Sequence, residues 1–211
     1  MNSDIPKHLM SVGGDTVIRH TVRAFEKSER VNSIVVVCGE GEIREISSQL
    51  AEFKKVVSVV AGGKCRMESA RLGFAAIPDE ADMIAVHDAA RCLILSEDIE
   101  RVISEAEAYG AATAGTAVVD TVKYAECGMI RKTVSRENLF LAHTPQIFDR
   151  VLYKKALDSA EDVSKFTDDN SLIEALGEKV RCVDTGRKNI KLTTRDDLLY
   201  AEFLLSKRGG K

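Results

Sequence analysis

The strongest constraint on this chain is a repeated change of hydrophobic period. Short apolar, β-branched runs alternate with stretches whose apolar residues recur every three or four positions. Residues 33–38 (SIVVVC), 56–60 (VVSVV) and 82–86 (DMIAV) are such runs, as expected of strands buried on both faces. Between them, Val17, Ile18, Val22 and Phe25 share one face of a first helix pattern, and Ile43, Ile46 and Leu50 one face of a second. Leu72, Phe74, Ala75 and Ile77 outline a weaker third. Ser96 is expected to cap a fourth, with Ile99, Val102, Ile103 and Ala106 turned inward and Glu97 and Asp98 in its first turn. Such alternation gives an α/β fold, a mostly parallel sheet covered by helices on both sides.

The rhythm breaks after Val119. Residues 121–125 (TVKYA) and 129–134 (MIRKTV) flank Glu126-Cys127-Gly128, a hairpin with Gly128 in its turn. It holds too few large apolar residues for a core strand pair, so the segment at about 119–142 reads as an arm that packs on something else. The α/β pattern then resumes with a helix from about Arg150, another at 171–176 and a strand at 179–183. The last helix starts at Thr194, with Asp197 as its capping-box partner. At 211 residues with 45% hydrophobic content, without repeats or linkers, residues 1–211 are expected to form one domain carrying an arm.

Composition removes several classes of function. Lys plus Arg is 30 against 33 Asp plus Glu, a net charge of −3, which argues against binding nucleic acid or an anionic membrane through charge. No 18-residue apolar run exists to span a bilayer, and the amino terminus lacks the apolar stretch of a signal peptide. Cys38, Cys65, Cys92, Cys127 and Cys182 are odd in number and scattered. They read as reduced thiols of a cytoplasmic protein, not as a disulfide frame or zinc site.

Two glycine clusters invite over-reading. Cys38-Gly39-Glu40-Gly41-Glu42 lacks the third glycine of a dinucleotide fingerprint, and its glutamates would repel a pyrophosphate. Gly62-Gly63-Lys64-Cys65 has Ser58 where a P-loop needs its first glycine and Cys65 where it needs Ser or Thr. His8, His20, His87 and His143 show no metal-ligand spacing. More informative are polar groups at the carboxyl ends of the expected strands, where open α/β sheets place ligands. Gly62-Gly63-Lys64-Cys65-Arg66, His87-Asp88-Ala89-Ala90-Arg91, Asp120-Thr121 and Asn189-Ile190-Lys191-Leu192-Thr193 bring cations, hydroxyls and an aspartate to one rim. Each alone is compatible with a turn or a surface ion pair. Together they suit phosphorylated ligands, since Arg forks and Lys point charges bind phosphate oxygens.

At these residues the chain resembles the 2-C-methyl-D-erythritol 4-phosphate cytidylyltransferases. The likeness covers about 6–205 and rests on ordered segments: Pro6-Lys7, Gly62-Gly63-x-x-Arg66-x-x-Ser69, His87-Asp-Ala-Ala-Arg91, Asp120-Thr121-x-Lys123, Thr133-Val-x-Arg136, Thr144-Pro-Gln146-x-Phe148, Thr167-Asp168 and Asn189-Ile-Lys191-x-Thr193. The resemblance implies a three-layer, Rossmann-like nucleotidyltransferase fold that dimerises through its β-hairpin arm. It also implies CMP transfer from CTP to methylerythritol phosphate with Mg²⁺ present and pyrophosphate released. Carried over by position, Lys7 and Lys191 would bear on the α-phosphate. Arg136 would reach from the arm into the neighbouring subunit's site. Thr121, Thr144, Asp88 and Arg91 would line the polyol-phosphate pocket, and Gly63, Lys64 (through its backbone) and Ser69 would meet the cytosine. The resemblance leaves open whether Asp88 also touches Mg²⁺.

The family opens with a buried strand and a glycine-rich loop, Ala-Ala-Gly-x-Gly-x-Arg-Met, that wraps the triphosphate; here Met1 falls on the loop's last residue. The resemblance therefore implies an internal Met taken as the start or a truncation, an unfilled gap in the sheet, and impaired turnover. Cys92, Ser135, His8 and Asp169-Asn170 replace the usual Pro, Asp, Gln and Glu-Ala. Two rivals are the same chemistry on another polyol phosphate such as ribitol 5-phosphate, and a non-catalytic relative. Asp88-Ala-Ala-Arg91 and Ala142-His-Thr-Pro-Gln146 favour methylerythritol phosphate over ribitol phosphate. The retained Lys7, Arg91, Arg136 and Lys191 speak against a scaffold.

Overall fold

The changes of period in the sequence fall where the backbone changes conformation. The structure, a computed structural model, describes residues 6–208. A small hairpin, β1 (Ser11–Val12) and β2 (Asp15–Thr16), leads into α1 (Val17–Lys27). There follow β3 (Ile34–Cys38), α2 (Ile43–Leu50), β4 (Val56–Ala61), α3 (Arg66–Ala75), β5 (Met83–Val86), α4 (Ser96–Tyr109) and β6 (Ala111–Ala117). The arm is β7 (Val122–Glu126) and β8 (Met129–Val134). The chain returns through β9 (Phe140–Asp149), α5 (Arg150–Ser159), α6 (Asp169–Ala175), β10 (Arg181–Asp184) and α7 (Arg195–Arg208).

Strands order as β10-β6-β9-β5 in one sheet and β3-β4 in another. The β10–β6 and β3–β4 pairs are parallel, while β9 runs antiparallel to both its neighbours. Helices cover both faces. Ile147 of β9 and Ala112 and Ala114 of β6 pack with Phe25 of α1 and Ile99, Val102 and Ile103 of α4. The next residues along the same strands, Phe148 and Ala111, face the opposite way onto Met67 of α3, Tyr153 of α5 and Ile173 of α6. Successive residues serving two cores is the period-2 signature of a central strand.

Several local expectations need correction. Ser96 does not cap α4. The N-cap is Leu95, without a side-chain bond, and the Ser96 hydroxyl donates to Glu97 at 3.3 Å. The inward face of α3 is set by Met67 and Gly73, whereas Leu72 is exposed. Gly73 is buried because a Cβ there would stand 2.8 Å from Val37 Cγ2 of β3. The helix thus lies against the strand on its smallest residue, a contact that hydrophobic periodicity does not reveal. β9 is not evident from the sequence, since a proline such as Pro145 argues against a central strand. The β6–β9 ladder breaks between Thr113 and Gly115, opposite this stretch, so the proline falls where the ladder asks for no donor. The Thr113 hydroxyl bridges the break by donating to the His143 carbonyl at 3.1 Å.

The arm is a two-stranded ribbon closed by Cys127 and Gly128, both at positive φ (49° and 77°). Two left-handed residues at the tip match the twist of a tight hairpin. Lys123 and Thr133 are opposite one another, and the Lys123 ammonium donates to the Thr133 hydroxyl at 2.8 Å.

Between β3 and β5 the described residues provide no strand. A cavity of about 930 Å³ lies there, lined by Val35, Val36 and Val37 on one side and Ile84, Ala85 and Val86 on the other. The facing edges of these two strands have no partner strand among the described residues.

Candidate active site at the carboxyl end of β5

After β5 the chain turns sharply at His87-Asp88-Ala89-Ala90-Arg91, with the Arg91 amide donating to the Asp88 carbonyl at 2.9 Å. Two distant segments fix this turn. The Asp88 amide donates to the Thr144 hydroxyl of β9 at 2.9 Å, and that hydroxyl lies 3.1 Å from His87 Nδ1. From the other side, Arg91 Nη1 donates to the Asn189 carbonyl at 2.8 Å and the Leu192 amide to the Ala90 carbonyl at 2.8 Å. Asn189, itself buried, donates to the Thr144 carbonyl at 2.8 Å. Turn, strand and the segment before α7 are thereby stitched together.

The stitching brings Lys191 to Asp88. Lys191 Nζ is 2.9 Å from Asp88 Oδ2, Arg66 Nε is 3.2 Å from Oδ1 and Arg91 Nε is 3.8 Å from Oδ2. Burial pushes the Asp88 carboxyl up, but Lys191 and Arg66 outweigh it and hold the group below its ordinary value. Arg66 in turn reaches Asp169 Oδ2 at 2.7 Å. Burial lowers the Arg66 guanidinium, yet Asp169 and Asp88 more than compensate and raise it. Three cations thus converge on one carboxylate at a half-open rim, an arrangement suited to anionic oxygens. Burial drives His87 down to about 4, so its imidazole is neutral at neutral pH. Its Nε2 sits 3.2 Å from the Arg91 carbonyl. With Nε2–H donating there, Nδ1 accepts from Thr144 and the Thr144 oxygen accepts from Asp88.

The expected nucleotide-binding loop follows β4. The Gly63 amide donates to the Ser69 hydroxyl at 3.0 Å, that hydroxyl donates to the Cys65 carbonyl at 3.0 Å, and the Lys64 amide donates to Glu68 at 2.6 Å. These groups therefore shape the loop, and the two amides already have partners. Gly63 is required by closeness: a Cβ there would fall 2.4 Å from Cβ of Glu68.

The structure brings Asp88, Arg91, Thr144 and Lys191 together. Thr144 is buried, its hydroxyl shared between the Asp88 amide and His87. Thr121 and Arg136 are exposed at the base of the arm, where Arg136 donates to the Val119 carbonyl. Lys7 is exposed on a short 3-10 turn, 7–9, whose Leu9 packs against the cluster of Ile18, Val22, Val36 and Ile46. Sequence reasoning assigned no role to Arg66, Asn189, Tyr153 or Asp169. Arg66 carried a signal, as part of a matched segment; the pairing of Tyr153 with Asp169 carried none.

Comparison with known proteins accords with this geometry. The sequence model of the 2-C-methyl-D-erythritol 4-phosphate cytidylyltransferase family matches residues 1–207. A protein of that name from Pelotomaculum thermopropionicum is 38% identical over 100% of this chain and 91% of its own length. Another from Shouchella clausii is 37% identical over 99% and 92%. The crystal structure of 4-diphosphocytidyl-2C-methyl-D-erythritol synthase from Anaerococcus prevotii superposes with a TM-score of 0.83 at 26% identity, covering 94% of this chain and 93% of that one.

Proposed function

The chain belongs to the 2-C-methyl-D-erythritol 4-phosphate cytidylyltransferase family, and from that premise we propose that it transfers CMP from CTP to 2-C-methyl-D-erythritol 4-phosphate in isoprenoid precursor synthesis. The observation that carries this reading is the convergence of Lys191, Arg66 and Arg91 on Asp88 at the end of β5. In the reaction a phosphate oxygen of the polyol forms a bond to the α-phosphorus of CTP, and the bond from that phosphorus to pyrophosphate breaks. A phosphate monoester is already largely dianionic near neutrality, so no general base is needed. What the protein must supply is cationic positioning of two anions and stabilisation of charge at the α-phosphate. An ammonium has three donors. Lys191 can keep one on Asp88 and present the others to a phosphate, so Asp88 orients the lysine.

Within this reading Lys7 and Lys191 serve the α-phosphate, Arg91 and Thr121 serve the polyol phosphate, and Thr144 holds Asp88 in place. The loop of Gly63, Lys64 and Ser69 meets the base. Arg136 acts on a neighbouring subunit, in a homodimer formed through the arm. Support for that dimer comes from the arm's exposed apolar side chains, Met129 at 65% and Ile130 at 66%, on a ribbon with no core of its own. We place this single-domain enzyme in the cytoplasm. All five cysteines are free, and among the described residues no helix is long and apolar enough to cross a membrane.

Magnesium is the metal this reading implies. Among the described residues no three His, Cys, Asp or Glu side chains gather into a metal-binding group, and both Asp88 oxygens already face cations. The donor set makes no preformed magnesium site, so the ion would enter with CTP, held by phosphate oxygens. The reading is tested by following CDP-methylerythritol formation by ³¹P NMR, with ribitol 5-phosphate as the competing acceptor. Faster reaction of the ribitol phosphate would replace the proposed acceptor.

A further inference from the structure

Asp169 has 0% of its surface exposed, yet it touches the rim through one side chain. Its Oδ1 accepts from the Tyr153 hydroxyl at 2.5 Å and its Oδ2 from Arg66 Nη1 at 2.7 Å. Its backbone is also held, since the amides of Asp169 and Asn170 donate to Oε1 of buried Gln146 at 3.0 and 3.2 Å. Gln146 Nε2 donates to Asp168 at 2.8 Å. The far end of Arg66 is different. About a third of its side chain is exposed, and its Nε donates to Asp88 Oδ1 while Lys191 holds Oδ2. A continuous chain of contacts therefore runs from the α5–α6 core to the exposed ammonium: Tyr153, Asp169, Arg66, Asp88, Lys191.

We infer that Asp169 is a positioning residue for the transfer reaction, fixing Lys191 through Arg66 and Asp88; this rests on the cytidylyltransferase reading above. The reasoning is geometric. A guanidinium matches a carboxylate with two parallel N–H donors. Arg66 instead divides its donors between two carboxylates, which leaves one Asp88 oxygen for Lys191. With Asp169 uncharged, nothing holds Arg66 back from turning both donors onto Asp88. Arg66 then competes with Lys191 for that carboxylate, and the ammonium is released from its fixed position. Tyr153 keeps Asp169 from rotating away, because its hydroxyl occupies the oxygen that Arg66 does not use.

The test compares the full chain with Asp169→Asn, Asp169→Glu and Tyr153→Phe. Two readouts are taken: kcat and KM for both substrates, and acetylation of Lys191 by acetic anhydride measured by mass spectrometry relative to Lys155. Asp169→Asn is expected to lower kcat about 10²-fold with KM little changed, the scale of a ~1 Å misplacement of a reacting group, and to raise Lys191 acetylation severalfold. Asp169→Glu is expected to restore most of both. Should Asp169→Asn fail to fold, Tyr153→Phe keeps the carboxylate and loosens it, with a smaller fall in kcat and the same direction of labelling. Unchanged Lys191 labelling in a folded variant overturns the inference whatever the rate does. A kcat within twofold of the parent overturns it as well. If the parent chain does not turn over with these substrates, the enzyme reading fails, and the labelling alone decides the relay.

Discussion

His87 gives the structure a measurable acid sensitivity. Its ring lies against Phe25, centroids 4.9 Å apart, and its two nitrogens meet the Arg91 carbonyl and the Thr144 hydroxyl. Burial holds its pKa at about 4 against an ordinary 6.5. Below pH 6.5 the unfolded chain takes up a proton that the folded chain refuses, so stability falls as pH drops from 6.5 to 4. The loss ends once the folded state also protonates. At ~1.4 kcal/mol per pH unit, His87 removes about 3 kcal/mol across that window, a large part of the ~5–15 kcal/mol typical of a domain. His143, also held at about 4 by burial and then by Arg91, adds a loss in the same direction. Asp98, whose carboxyl burial raises, opposes them at the acid end. Asp88 titrates below the window because its group is held low. Urea unfolding between pH 7.5 and 4.5 measures the slope. Near pH 5 the parent should lose ~1 kcal/mol or more per pH unit, and His87→Gln should lose distinctly less. Equal slopes in the two proteins refute the reasoning.

Other predictions follow from the same contacts. Lys191→Ala and Lys7→Ala should each lower kcat about 10²–10³-fold, the usual consequence of losing one preorganised charged donor; steady-state kinetics checks this, and near-normal turnover removes that lysine from the site. Thr144→Val leaves the part-buried Asp88 amide without its acceptor and should destabilise the fold by about 1 kcal/mol, read by urea unfolding, with a fall in kcat alongside. Ile130→Asp on the arm should shift the protein from dimer to monomer in analytical ultracentrifugation without changing its far-UV circular dichroism.

Much of the architecture is legible in the sequence because the strands read as short apolar runs and several helices keep their apolar residues on one face. The four inward residues of α4 and the capping box at Thr194 and Asp197 are found where periodicity and spacing place them. Where the sequence misleads, packing has overridden local preference. Gly73 faces the sheet because the helix must approach β3 closely, so the outward residue is the larger Leu72. β9 hides behind Pro145 and the polar residues His143, Thr144 and Gln146. Two of them are buried and fasten the site: Thr144 holds Asp88, and Gln146 holds the start of α6. At the site, Asp88, Arg91 and Lys191 could be anticipated as rim residues from their place after strands. The Arg66–Asp169 pair joins positions 103 apart in the chain, and only the fold brings them together.

The most direct test of the account is pyrophosphate release from CTP and 2-C-methyl-D-erythritol 4-phosphate. It is best run on this chain beside its Lys191→Ala variant. The account predicts pyrophosphate and CDP-methylerythritol in equal amounts, with turnover lowered about 10²–10³-fold in the variant. A folded parent chain that binds both substrates and releases no pyrophosphate would contradict it.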